Sequence, residues 1–179
     1  MKPTYRPLLL LFVLLLAALS ACTPAGPAAG QTTITVTDLV GRQVTVPDAV
    51  SRAVAIGPGA LRLVVYAANP DVLVGVEQIE TGDPSGKPYL LANPGLANLP
   101  IIGQGGPNNA PDPEKLLAVE PQVIFSTYAS EAAAADELQE KTGIPVVVLS
   151  YGGFGVTSIF GEQVLDSLAL IGQITGDAE

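Results

Sequence analysis

The chain of 179 residues has no histidine and no tryptophan, one cysteine and one methionine, and aromatic residues make up 5% of it. Each scarcity removes a class of function. Without histidine there is no Ser-His-Asp or Cys-His nucleophile system. A His-rich zinc or manganese site is equally impossible. Met1, the sole methionine, lies at the start of a leader, so neither His nor Met from the mature chain could ligate haem iron. A direct metal contact would have to come from carboxylate, tyrosine oxygen or backbone. A single cysteine, Cys22, allows no internal disulfide. Basic residues are also few, 8 against 17 acidic. Nothing in this composition points to an enzyme, and no resident cofactor is expected.

What is present begins with an export signal. Lys2 and Arg6 form a positive n-region, and Leu8 to Leu19 is an apolar h-region. Small residues then lead into Cys22 in Leu19-Ser20-Ala21-Cys22, which looks like a bacterial lipobox. The apolar run, about a dozen residues, is shorter than the ~20 that a membrane-spanning helix needs. The competing reading is a plain secretory signal with an incidental cysteine. The lipobox reading makes residues 1–21 a cleaved signal and Cys22 a lipidated N-terminus held on the outer face of a bacterial cell membrane. Losing Lys2 and Arg6 leaves 6 basic residues against all 17 acidic ones, a net charge of −11. Such a surface repels nucleic acid, so no nucleic-acid partner is expected.

Residues 22–32 lack apolar periodicity and read as a flexible tether. Alternation over Thr33–Thr37 and Gln43–Val46, around the turn at Val40-Gly41-Arg42, predicts a small hairpin. Strand and helix patterns alternate from there. Strands are expected at 53–56, 72–76, 101–102, 123–125 and 145–149. Helices are expected at 60–68, 113–119 and 130–141, with a short turn of helix at 89–91 in the long loop 80–100. Asp112-Pro113-Glu114 is a helix start, with Asp as N-cap and Pro at the first position. A final amphipathic helix is expected over 156–174, with a stripe of Phe160, Val164, Leu165, Leu168 and Ile171. The fold class is therefore α/β: a parallel-sheet, Rossmann-like lobe with an N-terminal hairpin and a long terminal helix.

In an open parallel sheet, ligands bind beyond the carboxyl ends of the strands. That rule gathers Gly57-Pro58-Gly59, Glu77-Gln78, Gly103-Gln104, Thr127-Tyr128 and Ser150-Tyr151 onto one rim. The candidate ligand-binding residues are Pro58, Gly59, Gln104, Thr127, Tyr128 and Tyr151. The two tyrosines offer flat aromatic faces with polar tips; the alternative is that they cover core edge. Gly57-Pro58-Gly59 serves equally well as a plain structural turn. It is no dinucleotide fingerprint, because Arg62 stands where a third small residue is required. The loop Gly103–Pro111 concentrates backbone donors and the amides Asn108 and Asn109, or is simply a turn-rich connection.

Three stretches together resemble one family. They are Thr37–Pro47 continuing through Ser51–Pro58, then Leu99–Gly103 with Pro113–Ile124 (Pro-Glu-Lys-Leu-Leu-Ala-Val-Glu-Pro-Gln-Val-Ile), and Lys141–Val148 (Lys-Thr-Gly-Ile-Pro-Val-Val-Val). In this order, behind a lipobox, they are similar to the class III periplasmic binding proteins of bacterial ABC importers for ferric siderophores, haem and cobalamin. The resemblance covers roughly residues 33–179. It implies two α/β lobes joined by a long helix with the ligand between them. On that frame residues 33–155 form the N-terminal lobe, residues 156–179 form a truncated interlobe helix, and the second lobe is missing. The C-terminal half of the helix would then lack part of its packing partner and would fray beyond about Leu168. The resemblance further implies a substrate-binding component of an ABC importer, with an iron chelate or corrinoid as ligand and a permease subunit as partner. It makes Glu114 a candidate permease contact, while the residue's place in a first helical turn also suits the helix dipole. The rival reading is an extracytoplasmic ligand-sensing or interaction module with no transport role.

Overall fold

The structure, a computed structural model, describes residues 32–152 and 161–177. The alternating Thr and Val of the first segment form an antiparallel hairpin, β1 (Thr33–Thr37) and β2 (Gln43–Pro47). Val36, Val44 and Val46 face inward and the threonines face out. The hairpin turn is fastened by Asp38, whose fully buried carboxylate accepts the backbone N–H groups of Val40, Arg42 and Val148 and pairs with the Arg42 guanidinium at 2.9 Å.

Three parallel strands make the centre: β3 (Ala53–Ile56), β6 (Val123–Ser126) and β7 (Val146–Val148), in the order β3-β6-β7. All are buried along their length, as their unbroken apolar sequences require. A second parallel pair, β4 (Val76–Glu77) and β5 (Ile101–Gly103), joins on the far side of β3. The join is a bridge between Ala53 and Leu73 and the Val74 N–H bond to the Ala53 carbonyl. The strands thus run β5-β4-β3-β6-β7.

Among the described residues five α-helices flank them: α1 (Ala60–Ala67), α2 (Pro88–Ala92), α3 (Pro113–Ala118), α4 (Ala132–Thr142) and α5 (Glu162–Thr175). Alternate strand residues feed two cores. Ala53, Ala55, Val123, Phe125 and Val147 pack with the hairpin, α1 and α5. Val54, Ile56, Ile124, Val146 and Val148 pack with Leu116 of α3 and Ala135 and Leu138 of α4. No helix among the described residues is long and apolar enough to cross a membrane.

Two expectations need correction. The strand expected over 72–76 is confined to Val76–Glu77. Pro70 opens a 3-10 turn over Pro70–Val72, and the Asn69 side chain caps it by accepting the Asp71 N–H. The last helix, expected from Val156, begins at Glu162 with Gly161 as N-cap, and Val156 to Phe160 lie outside the described residues. Its C-terminal half is not short of partners. Ile171 and Ile174 are fully buried against their own lobe, the Ile174 carbonyl accepts the Val50 N–H, and Gly176 closes the helix in a left-handed conformation. Leu165 is exposed and Leu168 half-buried, so the apolar stripe has a buried edge and an open edge.

Candidate functional site at the strand carboxyl ends

The strand order reverses between β3 and β6. From β3 the chain crosses through α1 on one face of the sheet, and from β6 through α4 on the other. Adjacent strands whose following helices diverge leave a crevice at their carboxyl ends. Gly57-Pro58-Gly59 and Thr127-Tyr128 meet at this place. The Thr127 N–H bonds to the Ile56 carbonyl, and its hydroxyl donates to the Pro58 carbonyl at 2.9 Å. Gly57 has φ of +90°, and a Cβ there would lie 2.4 Å from the Tyr128 nitrogen. Only glycine allows this approach.

The rim continues on both sides. A Cβ built on Gly59 would lie 3.4 Å from the Cβ of Tyr151. Tyr151 and Thr127 line a depression of about 250 Å³ together with Ser150, Val40 and Gln163. Tyr128 lines another, of about 290 Å³, with Pro111, Pro113, Glu137 and Lys141. On the other flank the Gln104 carbonyl accepts the Ile79 N–H, while the residue itself is exposed. The Asn109 amide closes its own loop by donating to the Gly105 carbonyl at 2.7 Å.

Between Gly57 and Gly105 sits the carboxyl group of Glu77. Both its oxygens lie 3.1 Å from the Gly57 nitrogen. Gly105, with φ of +80°, approaches so closely that a Cβ there would be 2.8 Å from Glu77 Oε2. Burial pushes the Glu77 carboxyl up to about 7; the Gly57 N–H opposes that shift and the nearby Glu80 carboxylate adds to it. Glu80 is itself buried, and it is held by Lys87 at 3.2 Å and by the Tyr89 hydroxyl at 2.8 Å. No group of three or more Cys, Asp or Glu among the described residues could hold a metal ion.

No protein-family model matches the chain. In sequence it is 31% identical over 115 residues to the molybdate-binding protein MolA of Haemophilus influenzae, a match covering 64% of this chain and 31% of MolA. In structure it is similar to molybdate-bound MolA with a TM-score of 0.64 and 25% identity, over 81% of this chain and 47% of MolA. A periplasmic solute-binding protein of Veillonella parvula matches with a TM-score of 0.64 and 21% identity, over 81% of this chain and 41% of the other. The haem-binding protein HmuT matches with 0.55 and 19%, over 88% of this chain and 46% of HmuT. The described fold is that of one lobe of a periplasmic solute-binding protein. The chain therefore spans under half the length of these relatives. They are proteins named for binding a solute and not for a reaction.

Within this lobe the candidate residues separate into groups. Pro58, Gly59, Thr127 and Tyr151 come together by contact: the Thr127 hydroxyl bonds to Pro58 and Tyr151 packs against Gly59, while Thr127 and Tyr151 share one depression. Tyr128 shares their backbone rim but lines the neighbouring depression. Gln104 stands on the opposite flank, connected to the crevice through Gly105 and Glu77. Glu114 lies apart from them, exposed in the first turn of α3, where the Asp112 side chain accepts the Lys115 N–H as N-cap. Cys22 lies outside the described residues. The strand-end rule puts Glu77 on the rim but does not single it out as a site residue. The signal was legible all the same: an acid that closes the apolar run Val72-Leu-Val-Gly-Val76, where a strand delivers it to the rim still half inside the core.

Proposed function

We propose that this chain is the solute-binding component of an ABC importer, exported from the cytoplasm and anchored to the membrane by lipid on Cys22. On this reading residues 1–21 are the signal and 22–32 the tether. Residues 33–155 form the binding lobe, and the helix that follows links it to a second lobe. The observation that carries the reading is the rim at the reversal of strand order, where Gly57-Pro58-Gly59 meets Thr127-Tyr128 and Tyr151, with a depression beside it lined by Thr127 and Tyr151. Its cargo is an iron complex, such as a ferric siderophore or haem, or a corrinoid. Support comes from the two rim tyrosines, whose broad faces suit a large planar or chelated ligand, and from the structural similarity to HmuT. Glu114 is the proposed permease contact, an exposed acid that would contribute steering and register.

A second cargo, a tetrahedral oxyanion, is favoured by one observation: the 31% identity with a molybdate-binding protein. The glycine-rich turn Gly103–Gly106 supplies backbone N–H groups suited to such a ligand. Uptake separates these readings. Deleting the gene in its host should abolish uptake of one among radioiron-loaded siderophore, haem, cobalamin and molybdate, and restoring the gene should recover it. Unchanged uptake of all four would overturn the importer assignment in favour of a sensing or interaction module.

A further inference from the structure

The rim is built from parts that meet at one acid. Gly57 follows β3 on one side of the rim; Gly105 follows β5 and belongs to the opposite flank. No hydrogen bond between these two backbone segments joins them directly among the described residues. The Glu77 carboxyl lies between them, accepting the Gly57 N–H with both oxygens at 3.1 Å while the Gly105 backbone closes over it. A side chain on either glycine would collide with this arrangement. At Gly57 the clash would be with Tyr128 and Thr127, and at Gly105 with Glu77 itself and Ile79. Both glycines also have positive φ, so the two turns and the acid form one fitted unit.

We propose that Glu77 is the positioning residue of the ligand rim, a clasp that fixes the Gly57–Gly59 turn against the Gly103–Gly106 loop and changes its grip with its own protonation. The inference rests on the rim being the solute site, and it adds to that reading a residue that acts through its neighbours. When ionised, the carboxylate is a strong acceptor for the Gly57 N–H but is held in a poorly solvated place. When neutral, it sits there at less cost and holds the N–H more weakly. Other charged and titratable groups face the same corner. Glu80 follows it on the next turn and is already engaged by Lys87 and Tyr89. From α1, the Arg62 guanidinium reaches toward Gly59, 3.7 Å from where a Cβ would stand. From the β6 side comes Tyr128, through its backbone. The Gly103–Gly106 loop carries no titratable side chain. Burial brings the Glu77 titration to about 7, within the range an extracytoplasmic compartment experiences.

The test is an amide titration by NMR from pH 5.5 to 8.5 on the unliganded protein, paired with E77Q and E77A. In the wild type the Gly57 and Gly105 amide signals should move together with a midpoint near 7. In E77Q they should stay still, with the remaining spectrum unchanged, because the amide oxygen still accepts but no longer titrates. In E77A the Gly57 amide should exchange with solvent about ten- to a hundred-fold faster, the loss expected for a hydrogen bond to a charged acceptor. If E77A does not fold, the contrast between wild type and E77Q decides alone. Signals that fail to titrate in the wild type, or that titrate equally in E77Q, would overturn the proposal. Addition of haem, ferric siderophore, cobalamin or molybdate to the same samples tests the solute site separately. A clasp that titrates in a protein on which no ligand moves the rim signals would refute the functional reading and leave the clasp standing.

Discussion

Replacing Glu77 with Gln should make the protein more stable at alkaline pH and remove much of the dependence of its stability on pH between 5 and 8. The carboxyl group is buried at the end of β4 with a single N–H donor, and its titration is displaced from 4.5 to about 7. In the unfolded chain it ionises near 4.5. Between those values the native state holds a proton that the unfolded state has released, so unfolding gains from rising pH. The contribution of Glu77 is therefore complete below about pH 4.5 and is lost as pH rises through about 7. At 1.36 kcal/mol per pK unit, and with some solvent reaching the carboxyl, the loss amounts to about 2–3 kcal/mol by pH 8. For a domain of this size that corresponds to roughly 5–10 °C in Tm. The assay is thermal or urea unfolding of wild type and E77Q at several pH values, read as the difference between the two curves so that other titrating groups cancel. The difference should grow in favour of E77Q as pH rises from 5 to 8. Parallel curves over that range would refute the reasoning, and so would a wild type that gains on E77Q with rising pH.

Asp38→Ala should cost about 3–5 kcal/mol in urea unfolding, because it leaves the Val148 N–H and part of the Arg42 guanidinium buried without their acceptor; a loss below 1 kcal/mol would contradict the clamp. Ile174→Ala should cost about 2–5 kcal/mol, and amides over 168–174 should exchange slowly in a demonstrated monomer, since the end of α5 is buried in its own lobe. Fast exchange there would show the helix end to be unpartnered. Cys22→Ser should abolish palmitate incorporation and signal processing in a bacterial host, whereas unchanged labelling would rule out the lipid anchor.

Much of the fold was legible because the sequence changes period where the structure changes type. The Thr-Val alternation gave β1 and β2, and the apolar runs at Ala53, Val123 and Pro145 gave the three central strands. Asp112-Pro113 marked the start of α3 to the residue. Where sequence reasoning failed, a local hydrogen bond or a tertiary contact prevailed. Asn69 and Pro70 wound Val72, the first residue of an apparent strand, into a 3-10 turn. The helical stripe of α5 could be measured in width but not in direction, so the burial of Ile171 and Ile174 on their own lobe was not readable from spacing. The strand-end rule placed the rim residues on one edge, but not in one cavity, and Tyr128 and Tyr151 line separate depressions. Nor could sequence alone show that Glu77 reaches Gly57, because that contact depends on the register with which β4 lies beside β3.

The central claim, that the strand-end rim is a solute site, is tested most directly by mapping ligand-induced amide shifts residue by residue. NMR detects even weak binding, so one lobe suffices for the measurement. Haem, a ferric siderophore, cobalamin and molybdate would each be titrated into the protein. The account predicts that one of them moves the signals of Gly57, Gly59, Gln104, Gly105, Thr127, Tyr128 and Tyr151 and leaves the opposite edge, around Asp71, Asn93 and Leu96, undisturbed. Shifts centred on that opposite edge, or none with any of the four at saturating concentration, would contradict it.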